Sequence, residues 1–485
     1  MQPYNLSDFS LIQMYSTIFQ KSSFLSPLTK VCKLNIIFFM SQNLTEGNIS
    51  KSLLKFSLPF LLANFLQLLY GLADLYVIGK FCFSAEITAV SVGSQVMHLF
   101  TVVIIALSMG TTVMISHNVG AKNQSDILKT IGNSVTVFAI FSIILCAISF
   151  FSVNLILKLL SVPQESLSQT RIYLIVCFSG LPFIVFYNLI SSILRGLGDS
   201  KTPMFIIFIA CLINIFIDFL LIGYFKVGVL GAALGTVISQ GLSVVLGILI
   251  LKFGKTKIPL SKEDFRLNSQ IVKRIFFVGL PIAVQDGFIQ ISFIIITKIA
   301  NSRGVEIAAA VGIVEKIIGM MFLAPSSMLS SISTFCAQNA GAAKHKRAIK
   351  ALFLGMIFTT IFGIFFTILS QFIPENLVSI FTSEKTVIRF GAQYLRSYVF
   401  DCILAGFHFC FSGFFAAYQK SILCFIHNII SVIAARIPLS YLATKLYPEN
   451  LFPMGLAAPI GSLLSSIICV IFFVVFFKKY FKSPN

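Results

Sequence analysis

The chain has 485 residues, 57% of them apolar and 11% charged, with 52 Phe and no Trp, and its mean hydropathy is +0.94. Soluble domains carry about 25% charge, so this composition excludes a water-soluble globular enzyme and indicates a membrane protein. The formal charge of +19 comes from 36 Lys+Arg against 17 Asp+Glu. These cations fall in short patches between apolar runs, with no basic face or aromatic-basic motif, so they read as a topology signal and no nucleic-acid partner is expected.

Residues 1–48 read as a poorly ordered extension: Leu34 to Met40 is too short to span, no signal-peptide layout precedes it, and Met40 is the expected true start. Asn43 and Asn48 stand in N-x-[ST] triplets, read here as chance matches. Apolar runs then recur along the whole chain, while strand-period alternation is scarce. With about 20 apolar residues needed per helix, the sequence predicts twelve transmembrane helices. They fall at 56–79, 87–117, 127–153, 169–193, 202–224 and 228–251, then at 275–297, 307–338, 348–372, 391–415, 421–444 and 454–477.

This divides the chain into a six-helix lobe at 49–251, a linker at 252–274, a second lobe at 275–479 and a tail at 480–485. Counting loops with the amino end inside gives 21 Lys+Arg on that side against 10 on the other. The positive-inside rule then predicts cytoplasmic termini in a plasma (inner) membrane protein. The ten cysteines and five histidines are scattered, without metal-ligand spacing, so no metal, cofactor or disulfide framework is expected.

The halves resemble each other. Phe56-Ser-Leu-Pro59-Phe returns as Val278-Gly-Leu-Pro281-Ile, Asn118-Val-Gly120-Ala as Asn339-Ala-Gly341-Ala, and Gly231-Ala-Ala-Leu as Gly455-Leu-Ala-Ala. Six spans preserve orientation, so the fold class expected is an all-α membrane bundle of two parallel six-helix repeats.

A charge at bilayer depth costs at least about 2.5 kcal/mol, so each buried one needs a reason. Tyr70 and Asp74 lie four apart in the first span, on one helical face, and Asn214 and Asp218 repeat that spacing in the fifth. Such pairs suit either a proton, taken up by a desolvated carboxyl, or a hard cation such as sodium; two structural acids tying helices together are the bland alternative. Asp286 follows Pro281, Asp401 lies in the tenth span, Glu315 and Lys316 are adjacent, and Arg436 is expected to pair with a buried acid or snorkel. Gly231-x-x-x-Gly235 permits close helix approach. No phosphate loop is present, so an ion gradient is the expected energy source.

Tyr70-Gly-Leu-Ala-Asp74, Asn118-Val-Gly120-Ala, Arg195-Gly-Leu-Gly-Asp199-Ser, Asn214-Ile-Phe-Ile-Asp218 and Gly231-Ala-Ala-Leu-Gly-Thr236, in this order, resemble the MATE (multidrug and toxic compound extrusion) family over about Ile49 to Lys479. That resemblance implies two lobes forming a V and export of organic cations or amphipathic drugs against inward proton or sodium flow. It implies an ion-coupling site of Tyr70, Asp74, Asn188, Asn214, Asp218 and Thr236, with sodium, if used, at Asp74, Asn214 and Asp218. A second branch of the family couples through acids in spans seven and ten, where this chain has Ile289 and an aspartate, Asp401, about one turn early. Asp286, Gln290 and Asp401 are therefore expected to line a substrate cavity. A lipid-linked oligosaccharide flippase and a non-transporting sensor or scaffold are the alternatives. The first predicts fourteen spans, and the second leaves the buried aspartates unexplained.

Overall fold

A computed structural model describes residues 43–253 and 258–481, and every regular element among them is helical. Ten helices are long and apolar enough to cross a bilayer, and two bent pairs bring the number to twelve when each pair is one span. Spans 1 to 3 are Ile49–Phe81, Ser84–Gly120 and Gln124–Leu159; span 4 is Gln164–Ser179 with Leu181–Gly196; spans 5 and 6 are Lys201–Tyr224 and Val229–Phe253. In the second half, spans 7 to 9 are Ser269–Asn301, Val305–Gly341 and His345–Phe372; span 10 is Lys385–Tyr398 with Asp401–Ala417; spans 11 and 12 are Ser421–Leu446 and Phe452–Lys478. Most run beyond the predicted apolar stretches, because backbone hydrogen bonding continues through polar turns at the helix ends.

Irregularities recur at matching places in the two halves. Pro59 lies inside span 1 and Pro281 inside span 7. Spans 4 and 10, expected as continuous helices, are bent by 45° and 44°. In span 4, Gly180 closes the first segment and Pro182, which has no N–H to donate, starts the second. Span 10 has neither residue at its break; its second segment opens on Asp401, an acid placed at the positive end of a helix dipole. Spans 5 and 11 each contain a π-helical stretch, Phe219–Tyr224 and Val432–Arg436.

The halves meet backbone to backbone. A Cβ on Gly120 would stand 1.9 Å from the Gln338 carbonyl oxygen, and one on Gly341 would stand 2.0 Å from the His117 carbonyl oxygen. These two glycines are the matching positions of the repeat, so the ends of spans 2 and 8 cross reciprocally. Spans 2 and 7 do the same higher up, where a Cβ on Gly110 would lie 2.2 Å from Ile275 O and one on Gly279 2.5 Å from Leu107 O. Side chains are excluded from these crossings, which lets dispersion act at its shortest range. Span 1 joins span 8 through Asn64 Nδ2, 3.0 Å from Ser327 Oγ.

Of the predicted extension, residues 43–48 are described; Leu44 is buried, and the Asn48 side chain caps span 1 by accepting from Lys51 N. In the linker, residues 254–257 lie outside the described residues. The rest includes a short 3-10 helix, Lys262–Phe265, whose Asp264 Oδ2 accepts from the backbone N–H and the hydroxyl of Ser261, both at 2.8 Å. These bonds, the backbone one first, hold the Asp264 carboxyl below its usual range.

Two outcomes follow. Gly120→Ala or Gly341→Ala lowers thermal stability by about 1–3 kcal/mol, because the atom met is backbone and cannot swing aside; Gly71→Ala, facing open space, does not. A depressed carboxyl pKa gives stability that is present above its unfolded value and lost as pH falls through the folded one. Acidification below about pH 4 therefore weakens the native linker turn, and Asp264→Asn, already lacking that charge, shows a smaller acid-induced drop in unfolding temperature.

Candidate functional site

Asp74, Asn214 and Asp218 are all buried, and the fold brings them together inside the first half. Span 1 supplies Tyr70 and Asp74 from one face. Span 5 supplies Asn214 and Asp218, and its π-helical stretch begins directly after Asp218, an irregularity frequent at functional sites. Span 6 supplies the wall. A Cβ on Gly231 would lie 3.0 Å from Leu221 and Ile222 of the π stretch, and one on Gly235 would lie 2.2 Å from Asp218 Oδ1 and 3.4 Å from Asn214 Nδ2. The two glycines thus seat the span 6 backbone against the Asp218 carboxylate.

Thr236 Oγ1 donates to Asp74 Oδ2 at 3.2 Å. The Tyr70 hydroxyl reaches the Thr236 carbonyl at 3.2 Å and shares a 2.6 Å hydrogen bond with Ser239 Oγ. Ser239, three residues beyond Thr236 on the same helix, was not among the predicted residues, although its spacing puts it on that face. Asn188 is buried, but its amide donates to Ile184 O of its own helix at 2.8 Å, and no hydrogen bond joins it to either aspartate.

Among the described residues neither Asp74 nor Asp218 forms an ion pair. Asp74 Oδ1, both Asp218 oxygens and both heteroatoms of the Asn214 amide make no hydrogen bond of good geometry there, although Asn214 and Asp218 lie within hydrogen-bonding reach of Asp74. Two adjacent carboxylates accept but cannot donate, so they bond to each other only with a proton between them. Without that proton, a buried acidic pair needs a positive ion within reach.

The second half is arranged differently. Asp401, expected at a substrate cavity, is fully buried and paired with Arg436 at 3.0 Å. Arg436 also lies 3.5 Å from the Tyr398 hydroxyl and 5.5 Å from the centre of the Phe293 ring, so span 11 is tied to spans 7 and 10. Asp286 and Gln290 are half-buried on span 7, with Gln285 Nε2 3.5 Å from Asp286 Oδ1. His408 and His427, dispersed in sequence, come within 5.9 Å, ring to ring. His427 bonds to Ser412 and Ser465 at 3.0 and 2.6 Å, and His408 to Ser462 at 3.4 Å, pinning spans 10, 11 and 12. Among the described residues no group of three or more His, Cys, Asp or Glu is placed to hold a metal ion.

A duplicated bundle of membrane-crossing helices with an uncompensated acidic pair buried in its first half defines an integral membrane protein of the transporter class. The MatE family model matches the chain twice, at residues 59–220 and 281–442, and the chain belongs to that family. It is 27% identical to "Probable multidrug resistance protein YpnP" of Bacillus subtilis, covering 86% of this chain and 92% of that one. It is 28% identical to "Probable multidrug resistance protein NorM" of Thermotoga maritima, covering 83% and 87%, and 24% identical to "Multidrug export protein MepA" of Staphylococcus aureus, covering 77% and 82%. Among solved structures, the fold matches a MATE protein in a straight conformation with a TM-score of 0.85 at 18% identity, over 92% of this chain and all of that one. It matches a MATE protein in a bent conformation with a TM-score of 0.86, over 91% and 99%.

Gly235→Ala, by pushing a methyl into Asp218, is expected to lower stability by about 1–3 kcal/mol in thermal unfolding. Arg436→Leu, which strands Asp401 as a buried unpaired charge, destabilises by about 3–5 kcal/mol, whereas the double variant Asp401→Leu/Arg436→Leu restores most of that loss in thermal unfolding.

Proposed function

We propose that the chain is a secondary antiporter that exports amphipathic, often cationic organic compounds in exchange for protons or sodium, by alternating access. The observation that carries this reading is the burial of Asp74, Asn214 and Asp218 side by side, with neither acid in an ion pair among the described residues. An ion-coupled exporter needs a site that is costlier empty than filled, and two buried carboxylates meet that need, because one bound cation halves their charge from −2 to −1. A proton fills it by bridging the acids. Sodium fills it by taking the free oxygens of Asp74, Asp218 and Asn214, the hard-oxygen donors such a cation prefers.

Ion entry from outside pulls the two carboxylates onto one charge and draws span 1 toward spans 5 and 6; the substrate cavity closes and releases its cargo. Ion release inside resets the cycle. Asp286 and Gln290 are the polar groups we assign to the substrate cavity. Phe288 and Phe425, with ring centres 6.0 Å apart, supply aromatic surface of the kind that holds organic cations. Similarity to a multidrug export protein of Staphylococcus aureus supports the same reading. The excess of basic residues in the loops on the amino-terminal side supports cytoplasmic termini in a plasma-membrane protein, which we take to act as a monomer.

Asp74→Asn and Asp218→Asn each keep size and remove a charge. Both are expected to abolish resistance to a transported dye at unchanged protein abundance. In proteoliposomes the parent protein exports dye under an imposed pH or sodium gradient, tested one at a time. Efflux that persists in either variant, or that ignores both gradients, refutes the assignment.

A further inference from the structure

Two lead-in segments, one before the first span of each half, cross over to the opposite half. Residues 43–47 precede span 1 but lie on spans 8 and 9. Leu44 N donates to Gln338 Oε1 at 3.3 Å, and the Leu44 carbonyl accepts from Asn339 Nδ2 at 3.2 Å. Lys344 Nζ donates to the Thr45 carbonyl at 2.9 Å. The Arg347 guanidinium grips three successive points: the Leu44 carbonyl at 3.3 Å, that of Glu46 at 2.6 Å and that of Gly47 at 2.6 Å. The Leu44 side chain is fully buried beneath this grip.

The second segment, 258–268, precedes span 7 but lies on span 3. Asn133 Oδ1 accepts from Asn268 N at 2.6 Å while Asn133 Nδ2 donates to the Asp264 carbonyl at 3.2 Å. Thr136 Oγ1 donates to the Phe265 carbonyl at 3.0 Å. Gly132 admits the segment, since a Cβ there would lie 2.3 Å from Asp264 O. Both segments sit on the face where spans 2 and 8 end against each other, and Gln338 adds a further tie across it by donating to Gly196 O of span 4 at 3.2 Å.

Each segment is continuous with the first span of its own half and held by the third span of the other, so the halves cannot part on this face while both grips persist. The bonds from Lys344 and Arg347 to backbone carbonyls are open to water, which replaces them at small net cost. Leu44 is the buried apolar part of the first grip and Ile258 and Leu260 pack the second against the core, so release works against these few side chains as well as the hydrogen bonds. We infer that the two segments are paired cytoplasmic straps that lock the closed seam, that Arg347 and Asn133 are the positioning residues that hold them, and that export requires their release in every cycle. This rests on the alternating-access reading above, and the tests keep the two apart.

In full-length protein in proteoliposomes, Thr45→Cys and Lys344→Cys are joined by a short cleavable bis-thiol reagent. The expected result is loss of gradient-driven dye export on joining and its return on cleavage. Export at the unjoined rate while joined overturns the strap proposal. A second measurement needs no transport: Leu44→Cys is labelled by an impermeant thiol reagent from the cytoplasmic side of inside-out membranes, against a parent control. Labelling several-fold faster in Arg347→Ala supports the grip, with Arg347→Lys between the two; unchanged labelling overturns it. If the unjoined parent exports nothing under either gradient while Leu44→Cys labelling responds to Arg347→Ala, the antiporter reading falls and Arg347 keeps its role as the grip.

Discussion

The constraint on which the rest of the molecule turns is the presence of two neighbouring carboxylates in the membrane interior with no resident positive charge. Asp74 and Asp218 come from different spans, so their proximity is a property of packing and not of either helix alone. Span 5 changes helical pitch directly after Asp218, span 6 offers glycine where any side chain would collide with that carboxylate, and Tyr70 is tied to span 6 by two hydrogen bonds. Each device packs spans 1, 5 and 6 around the two acids.

In the second half a matching span carries an ion pair. Its eleventh span has a π-helical stretch like that of the fifth, but the residue at its end is Arg436, paired with Asp401. An internal ion pair of this kind satisfies its own charges and leaves little affinity for a third. Duplication has preserved proline positions, bends and helical irregularities while the charges within them diverged. The first half gathers two acids outside any ion pair among the described residues, while the second pairs Asp401 with Arg436, leaves Asp286 and Glu315 outside ion pairs there, and is stitched together by that arginine, two histidines and a set of serines.

Much of this was legible in the sequence because a bilayer leaves few options for a chain: the apolar runs, the six-span repeat and the four-residue spacing of Tyr70 with Asp74 and of Asn214 with Asp218 follow from length and period alone. Gly180 and Pro182 do mark the break in span 4, though a long apolar run conceals it. No residue marks the break in span 10. The pairing of Asp401 with Arg436 and the meeting of His408 with His427 depend on how spans 10 and 11 rotate about their own axes, which hydropathy does not encode. Asn188 entered the expected site through the family resemblance alone, and its Nδ2 donates to Ile184 O of its own helix.

The reciprocal contact of Gly120 and Gly341 ties the two copies of the repeat to one choice of residue. A methyl on Gly120 would meet the Gln338 carbonyl and one on Gly341 the His117 carbonyl, so neither copy can enlarge its residue without displacing the backbone of the other. A pair of hydrogens in place of methyl groups thus couples the sequences of the two halves as closely as their helices.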